Sequence, residues 1–236
     1  MAEAAPDAEL SDLAASAATG RAALCIIDMQ RDFCEPNGYA AQAGLDTHRL
    51  SGVVAQIGQI LAAARRIGMA VVHTREGHLP DLSDCPPAKR LRSDVAGAPI
   101  GSLGPLGRLL IRGEYGHDFI DALQPIPGET IIDKPGYGAF YATDLAASLK
   151  QRGIDSLILC GVTTEVCVHS TLREAVDRGY RCVTVSDACA ASVPHLQAPA
   201  LAMIGVEGGI LGGVATTRQI LAVLSGCPGI GQAGAA

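Results

Sequence analysis

"DSLILCGVTTEVCVHSTLREAVDRGYRCVTVSDA", residues 155–188, decides the fold. Residues 155–161 form an almost uninterrupted apolar run, the pattern of a strand buried on both faces. From 165 to 180, Val168, Leu172, Ala175 and Val176 recur at helical spacing, and Gly179 ends the helix. Residues 181–188 are again strand-like. Strand, helix and strand in close succession make a parallel βαβ unit. The alternation continues outward. "AALCIID" (22–28), "MAVVHTRE" (69–76) and "ETIIDKP" (129–135) read as buried strands, and "GGILGGVAT" (208–216) as a sixth, weakened by its glycines. Residues 47–69 place Leu50, Val53, Val54, Ile57, Ile60 and Leu61 on one helical face that stops at Gly68. Residues 143–154 read as a helix opened by a Thr, and 194–206 as one that Pro199 bends or divides. The expected fold is α/β: a three-layer αβα sandwich around a mainly parallel sheet of six strands.

With 236 residues and 48% hydrophobic content, the chain can bury one sizeable core. Residues 21–226 read as a single domain, 1–20 as a disordered leader and 227–236 as a flexible Gly-rich tail. Residues 77–128, rich in Gly, Pro and charge, read as a long insertion: a lid or subunit contact, or a plain surface excursion. The net charge of −6 excludes nucleic acid as the expected partner, since phosphate contacts need clustered Lys and Arg. The densest basic run, "KRLR" (89–92), reads as a solvated loop. No apolar run is long enough for a membrane helix, and the N-terminus lacks the pattern of a secretory signal, so the cytoplasm is the expected location. Eight cysteines form no CxxC pair. Cys25, Cys160 and Cys182 fall in strand runs, where a thiol behaves as a small hydrophobe, and disulfides are not expected.

In a parallel α/β sheet, sites form at the carboxyl ends of strands. Asp28 ends the first strand, Lys134 ends the strand near 130, and the turn after Gly161 delivers Cys167. Each has a plain reading: a turn cap, a solvated lysine, a packed thiol. Together on one rim they make an acid, an amine and a nucleophile. Cys167 opens a helix, where unpaired N–H groups and the dipole favour a thiolate and lower its pKa, and Lys134 is expected to lower it further. Asp28 is placed to take the thiol proton. Arg75 and Glu76 follow a strand and are candidates for the same rim. His169, two positions after Cys167, should point away from it on a helix. His73 and His78 lack metal-ligand spacing, so neither a metal nor another cofactor is expected.

"IIDMQRDF" (26–33), "IIDKPGYGAFYATDL" (131–145) and "GVTTEVCVHSTLREAVDRGY" (161–180) resemble the signature blocks of the isochorismatase-like cysteine hydrolases. The resemblance spans about Ala22 to Leu224. It implies the six-stranded parallel fold and an Asp28, Lys134, Cys167 triad. It also implies a cis peptide at Val162–Thr163 and an oxyanion hole from the Thr163 and Cys167 amides. The implied chemistry is amide hydrolysis through a thioester on Cys167. "HTREGHLPDLSD" (73–84) and "KRLRS" (89–93) look most like the biuret hydrolases and related ureide amidohydrolases. Tyr137 and Glu207 depart from that pattern, where a Lys and a Gln stand at positions associated with substrate. An ionised Glu207 only accepts hydrogen bonds and would favour a cationic or donor-rich substrate. Phe33, Tyr137, Phe140 and Glu207 are therefore the substrate-binding candidates.

The leading expectation is hydrolysis of a small ureide or amide such as biuret. The alternative is a lactam of a basic molecule such as streptothricin, and a remoter one is a non-catalytic pocketed binding protein. A true isochorismatase acting on a vinyl ether is disfavoured by Cys167. The partner is a small-molecule amide rather than nucleic acid or membrane, and the resemblance implies a homodimer or homotetramer.

Overall fold

The structure, a computed structural model, describes residues 7–229. The ends of the expected leader and tail, 1–6 and 230–236, lie outside the described residues. Within them the leader is corrected: Asp7–Ala18 is an α-helix. Leu10, Leu13 and Ala17 recur at helical spacing, and Leu13 and Ala17 are buried. Ser16 pins the helix by donating to Asp155 at 2.8 Å.

The main sheet is built from β1 (Ala22–Ile27), β2 (Ala70–Glu76), β5 (Thr130–Lys134), β6 (Ser156–Val162), β7 (Arg181–Ala190) and β8 (Gly213–Ala215). The remaining strands, β3 (Leu103–Gly104) and β4 (Gly107–Arg108), form a separate antiparallel pair. The main sheet runs β5-β2-β1-β6-β7-β8, and every pairing in it is parallel. β1 and β6 are buried along their whole length, which is why both read as unbroken apolar runs. Each fully buried Leu or Ile there contributes roughly 1.5–3 kcal/mol relative to exposure. Helices cover both faces, among them Val54–Ile67, His169–Val176 and Thr217–Ser225. The strand order reverses between β1 and β6, so the crevice of the fold opens above their carboxyl ends. Gly161 belongs to that junction. A Cβ there would meet the Ile27 carbonyl oxygen at 2.1 Å, and its φ of +116° suits only glycine.

Several helices differ in detail from the sequence pattern. Residues 47–69 divide into Thr47–Ser51 and Val54–Ile67, with Gly52 between them. Pro199 does not break its helix. Gln197–Ala202 begins two residues earlier, so Pro199 falls in the first turn, where its missing N–H costs nothing. Residues 77–128 contain the helix Pro87–Val95 and the β3–β4 pair; a bridge from His78 to Ile111 closes the segment on itself, and one from Gln30 to Phe119 ties it to the turn after β1. "KRLR" is therefore no solvated loop: it lies on that helix, with Lys89 buried and Arg90 and Arg92 exposed. All eight cysteines are free thiols. Among the described residues no helix is long and apolar enough to cross a membrane.

Candidate active site

Asp28 comes directly after β1 with a φ of 53°, a left-handed conformation that few residues other than glycine adopt. Thr74 holds it there. The Asp28 N–H donates to the Thr74 carbonyl and hydroxyl at 3.2 Å each, and that hydroxyl donates back to Asp28 Oδ1 at 2.6 Å. Asp28 Oδ2 lies 2.8 Å from Lys134 Nζ and accepts no further hydrogen bond. Lys134 ends β5, is fully buried, and donates to the carbonyls of Gly136 at 3.0 Å and Tyr137 at 2.9 Å.

Cys167 sits in a wide π-type turn, Thr164–Val168, that runs into the helix His169–Val176. The Val162–Thr163 peptide just before it is cis. The Cys167 thiol donates to Glu76 Oε2 at 3.3 Å. Glu76 ends β2 and stands in register with Lys134. Its Oε1 lies 2.6 Å from Lys89 Nζ, and its Oε2 lies 3.6 Å from Lys134. Lys89 also donates to the Pro135 carbonyl at 2.6 Å and lies 4.9 Å over the Tyr137 ring. Two carboxylates, two lysines and one thiol thus share a buried cluster.

The charges decide the resting state. Burial pushes the Cys167 thiol well above its ordinary pKa; Lys134 opposes this, while Asp28 and Glu76 add to it. Against the thiolate expected at this helix start stand desolvation and the two carboxyl groups, with Lys134 as the opposing charge. Burial also raises Asp28, against the pull of Lys134. Burial acts on Glu76 in the same sense, but Lys89 and Lys134 together outweigh it and hold that carboxyl below its ordinary range. Lys134 is raised in spite of burial, because Asp28, Cys167 and Glu76 surround it.

The thiol opens on a cavity of ≈ 210 Å³. This is smaller than the about 300–1,000 Å³ of drug-sized sites and suits a small molecule. Phe33, Leu45 and Val166 supply its apolar wall, and Tyr39, Tyr137, Thr163 and Ser192 its polar groups, with Glu76 and Cys167 between them. A hollow of ≈ 260 Å³ beside the first helix is larger, but its cysteine, Cys182, donates to the Tyr180 carbonyl at 3.7 Å and faces no lysine–carboxylate pair like that at Cys167. One oxygen each from Asp28 and Glu76 and the Cys167 sulfur lie within 4.8 Å of one another, the donor spacing of a metal site. Lys134 already supplies the positive charge beside those carboxylates. His73 and His78 are engaged elsewhere, with Glu129 at 2.9 Å and Asp84 at 3.2 Å.

Residues 22–218 match the isochorismatase domain family. The chain belongs to the isochorismatase family. Among its relatives is the ureidoacrylate amidohydrolase RutB of Methylorubrum extorquens, 35% identical over 202 residues that make up 84% of this chain and 82% of that protein. A cysteine hydrolase from Pseudomonas syringae pv. phaseolicola superposes with a TM-score of 0.75 at 30% identity, covering 88% of this chain and 93% of the other. N-carbamoylsarcosine amidase from Thermoplasma acidophilum superposes with a TM-score of 0.64 at 26% identity, over 84% of this chain and 96% of that one.

Within this family fold, Asp28, Lys134 and Cys167 converge, and Thr163, Phe33 and Tyr137 line the same pocket. Two expected substrate residues lie elsewhere. Phe140 packs against Tyr180, ring centroids 5.7 Å apart, with Arg178 4.9 Å over its ring. Glu207 is exposed in a tight turn, with a φ of 52°. That turn leads into the amino end of β8, and neighbouring Gly212 abuts Cys182 near the start of β7. A loop entering a parallel strand lies on the edge opposite the carboxyl-end crevice. His169 bonds the Ala200 carbonyl at 2.8 Å instead of the thiol. Strand alternation separates the two rim candidates of β2: Glu76 faces the thiol, while Arg75 binds Asp133 at 2.7 Å on the other side. Lys89 carried no usable signal, because its helix buries Lys89 and leaves Leu91 exposed.

Proposed function

We propose that this chain is a cysteine-dependent amidohydrolase that cleaves a C–N bond of a small neutral ureide such as biuret. The observation that carries this reading is a thiol at a small pocket with Asp28 and Lys134 packed behind it. The names of two relatives, a ureidoacrylate amidohydrolase and an N-carbamoylsarcosine amidase, point to a carbamoyl group on nitrogen. Glu76 lines this cavity with Lys89 and Lys134 turned toward its carboxylate, an arrangement that supports a neutral, donor-bearing substrate. The carboxylate of Glu76 is matched by two lysines, so it offers little net attraction to a basic lactam.

The chemistry follows from the cluster. The Cys167 proton passes to Asp28 Oδ2, which has room for it, and Lys134 steadies the charges. Moving the proton within the cluster keeps its net charge unchanged, which offsets the cost of a buried thiolate. Sulfur attacks the carbonyl carbon, and the oxyanion rests against the Thr163 and Cys167 amides. Asp28 returns the proton to the departing nitrogen as the C–N bond breaks. Water then attacks the thioester, gives its proton to Asp28, and the released thiolate recovers it.

The test is ammonia release from biuret by the purified protein beside Cys167→Ala. The wild type should release ammonia, and the variant should fall by about 10⁴-fold or more with its melting temperature little changed. Equal rates in the two proteins would remove Cys167 from the mechanism.

A further inference from the structure

Asp28 and Glu76 approach the same thiol but differ in what else they meet. Asp28 is sealed, with no exposed surface, behind Thr74 and Lys134. Glu76 lines the cavity, so an entering molecule meets it first. Its position is tightly held. Gln30 accepts the Glu76 N–H at 2.7 Å and donates to the Glu76 carbonyl at 3.0 Å, fixing the strand end. Lys89 takes one side-chain oxygen at 2.6 Å. The other, Oε2, accepts from the Cys167 thiol, sulfur to oxygen 3.3 Å, and lies 3.6 Å from Lys134. A carboxylate is a far better acceptor than this weak S–H donor requires.

We propose that Glu76 is a further catalytic residue that recognises a substrate N–H and, in doing so, releases the Cys167 thiol for reaction. This rests on the ureide reading above and specifies the part of the ureide that is read: a nitrogen bearing hydrogen beside the carbonyl under attack. When that N–H bonds to Glu76 Oε2, the S–H loses its acceptor there and turns to Asp28 Oδ2, whose other partner is Lys134 at 2.8 Å. The S–H bond breaks, the proton goes to Asp28, and the thiolate forms only with substrate in place. Nothing is oxidised or reduced. Lys89 is a positioning residue: it aims Glu76 and touches neither substrate nor sulfur. An acyl group without such an N–H would meet a thiol still held by Glu76. The long 77–128 excursion thereby reaches the chemistry through one lysine.

The experiment compares how fast iodoacetamide and methyl iodoacetate alkylate Cys167 in the full chain, followed by peptide mass spectrometry. Both reagents are neutral and both need the same thiolate, but only iodoacetamide carries an N–H. The rate ratio, normalised to free cysteine, therefore reports the acceptor and cancels the thiol's own pKa. In the wild type it should be about 10-fold, the worth of one hydrogen bond to a charged acceptor. Glu76→Gln should lower it at least about threefold, because a neutral amide accepts more weakly. The double variant Glu76→Met, Lys89→Met leaves no lone charge at that pair and should bring the ratio to that of free cysteine. Lys89→Met alone should lower it partway, and Lys89→Arg should restore it. A ratio unchanged in the Glu76 variants overturns the proposal even if the wild type hydrolyses biuret. A ratio that falls as expected, in an enzyme inert to ureides, upholds the acceptor and removes the ureide reading instead.

Discussion

Strands β2 and β5 carry an ionic cluster at each end, and the two clusters differ in consequence. At the amino end, Glu129 binds Arg65 through both oxygens at 2.8 and 2.9 Å, accepts the Ile126 N–H at 3.0 Å, and lies 2.9 Å from His73 Nε2. At the carboxyl end, Glu76 binds Lys89 and faces Lys134, with the remaining acceptor on the thiol of Cys167. Both carboxylates are held below their ordinary range by neighbouring positive groups and hydrogen-bond donors. The first is saturated by permanent partners and fastens a loop to the sheet. The second keeps one weak partner and a cavity in front of it. An ion pair becomes chemistry when one acceptor is left to something that can be exchanged.

Lys134→Met should break the contrast most severely. It leaves Asp28 buried with no cation, at a cost of about 3–5 kcal/mol of stability, and it abolishes amide hydrolysis. Denaturant unfolding and an ammonia assay read both losses; a stable variant would mean that Asp28 is neutral in the resting protein. Asp28→Asn keeps the bond from Thr74 but leaves buried Lys134 with only Glu76 at 3.6 Å, so it should also destabilise, by less than Lys134→Met, and lower kcat by about 10³-fold through loss of the proton acceptor. Retained kcat would transfer that role to Glu76. Glu129→Gln should leave kcat unchanged and cost about 1–2 kcal/mol at pH 7, a figure reduced for solvent screening. Burial opposes ionisation of Glu129, but Arg65, Ile126 and His73 bring its pKa down to about 2. Its folded value lies below its unfolded one, so the contribution is complete above the ordinary carboxylate range and fades as pH falls toward about 2. The stability gap between wild type and Glu129→Gln should therefore close over that window in urea melts. A gap that persists at pH 2 would assign the effect to packing.

Much of the site was legible because parallel sheets put chemistry at strand ends. Asp28, Lys134 and Cys167 each end a strand or follow one, so the rule puts all three on one rim, and the strand order then brings them together. The same rule, applied to the strand after residue 208, would have removed Glu207, which lies on the entering side. Phe140 misled for another reason. Nearness to a motif in sequence says nothing of which side a ring takes, and this one packs on Tyr180. The N-terminal helix was hidden by its Ala-rich composition, in which a few apolar positions at helical spacing hardly stand out.

The sequence by itself determined the alternation of strand and helix, the buried central strands and the residues at their carboxyl ends. Those properties follow from hydrophobic periodicity and turn chemistry, which are local. Only the tertiary structure decided which strand lies beside which. It set β2 between β1 and β5, in the register that puts Glu76 opposite Lys134 and Arg75 opposite Asp133. Parallel neighbours are joined through long crossovers, so no local pattern carries their register. It also turned Lys89 inward, against the ordinary preference of a lysine for water, because two carbonyl and carboxylate oxygens waited there to receive it.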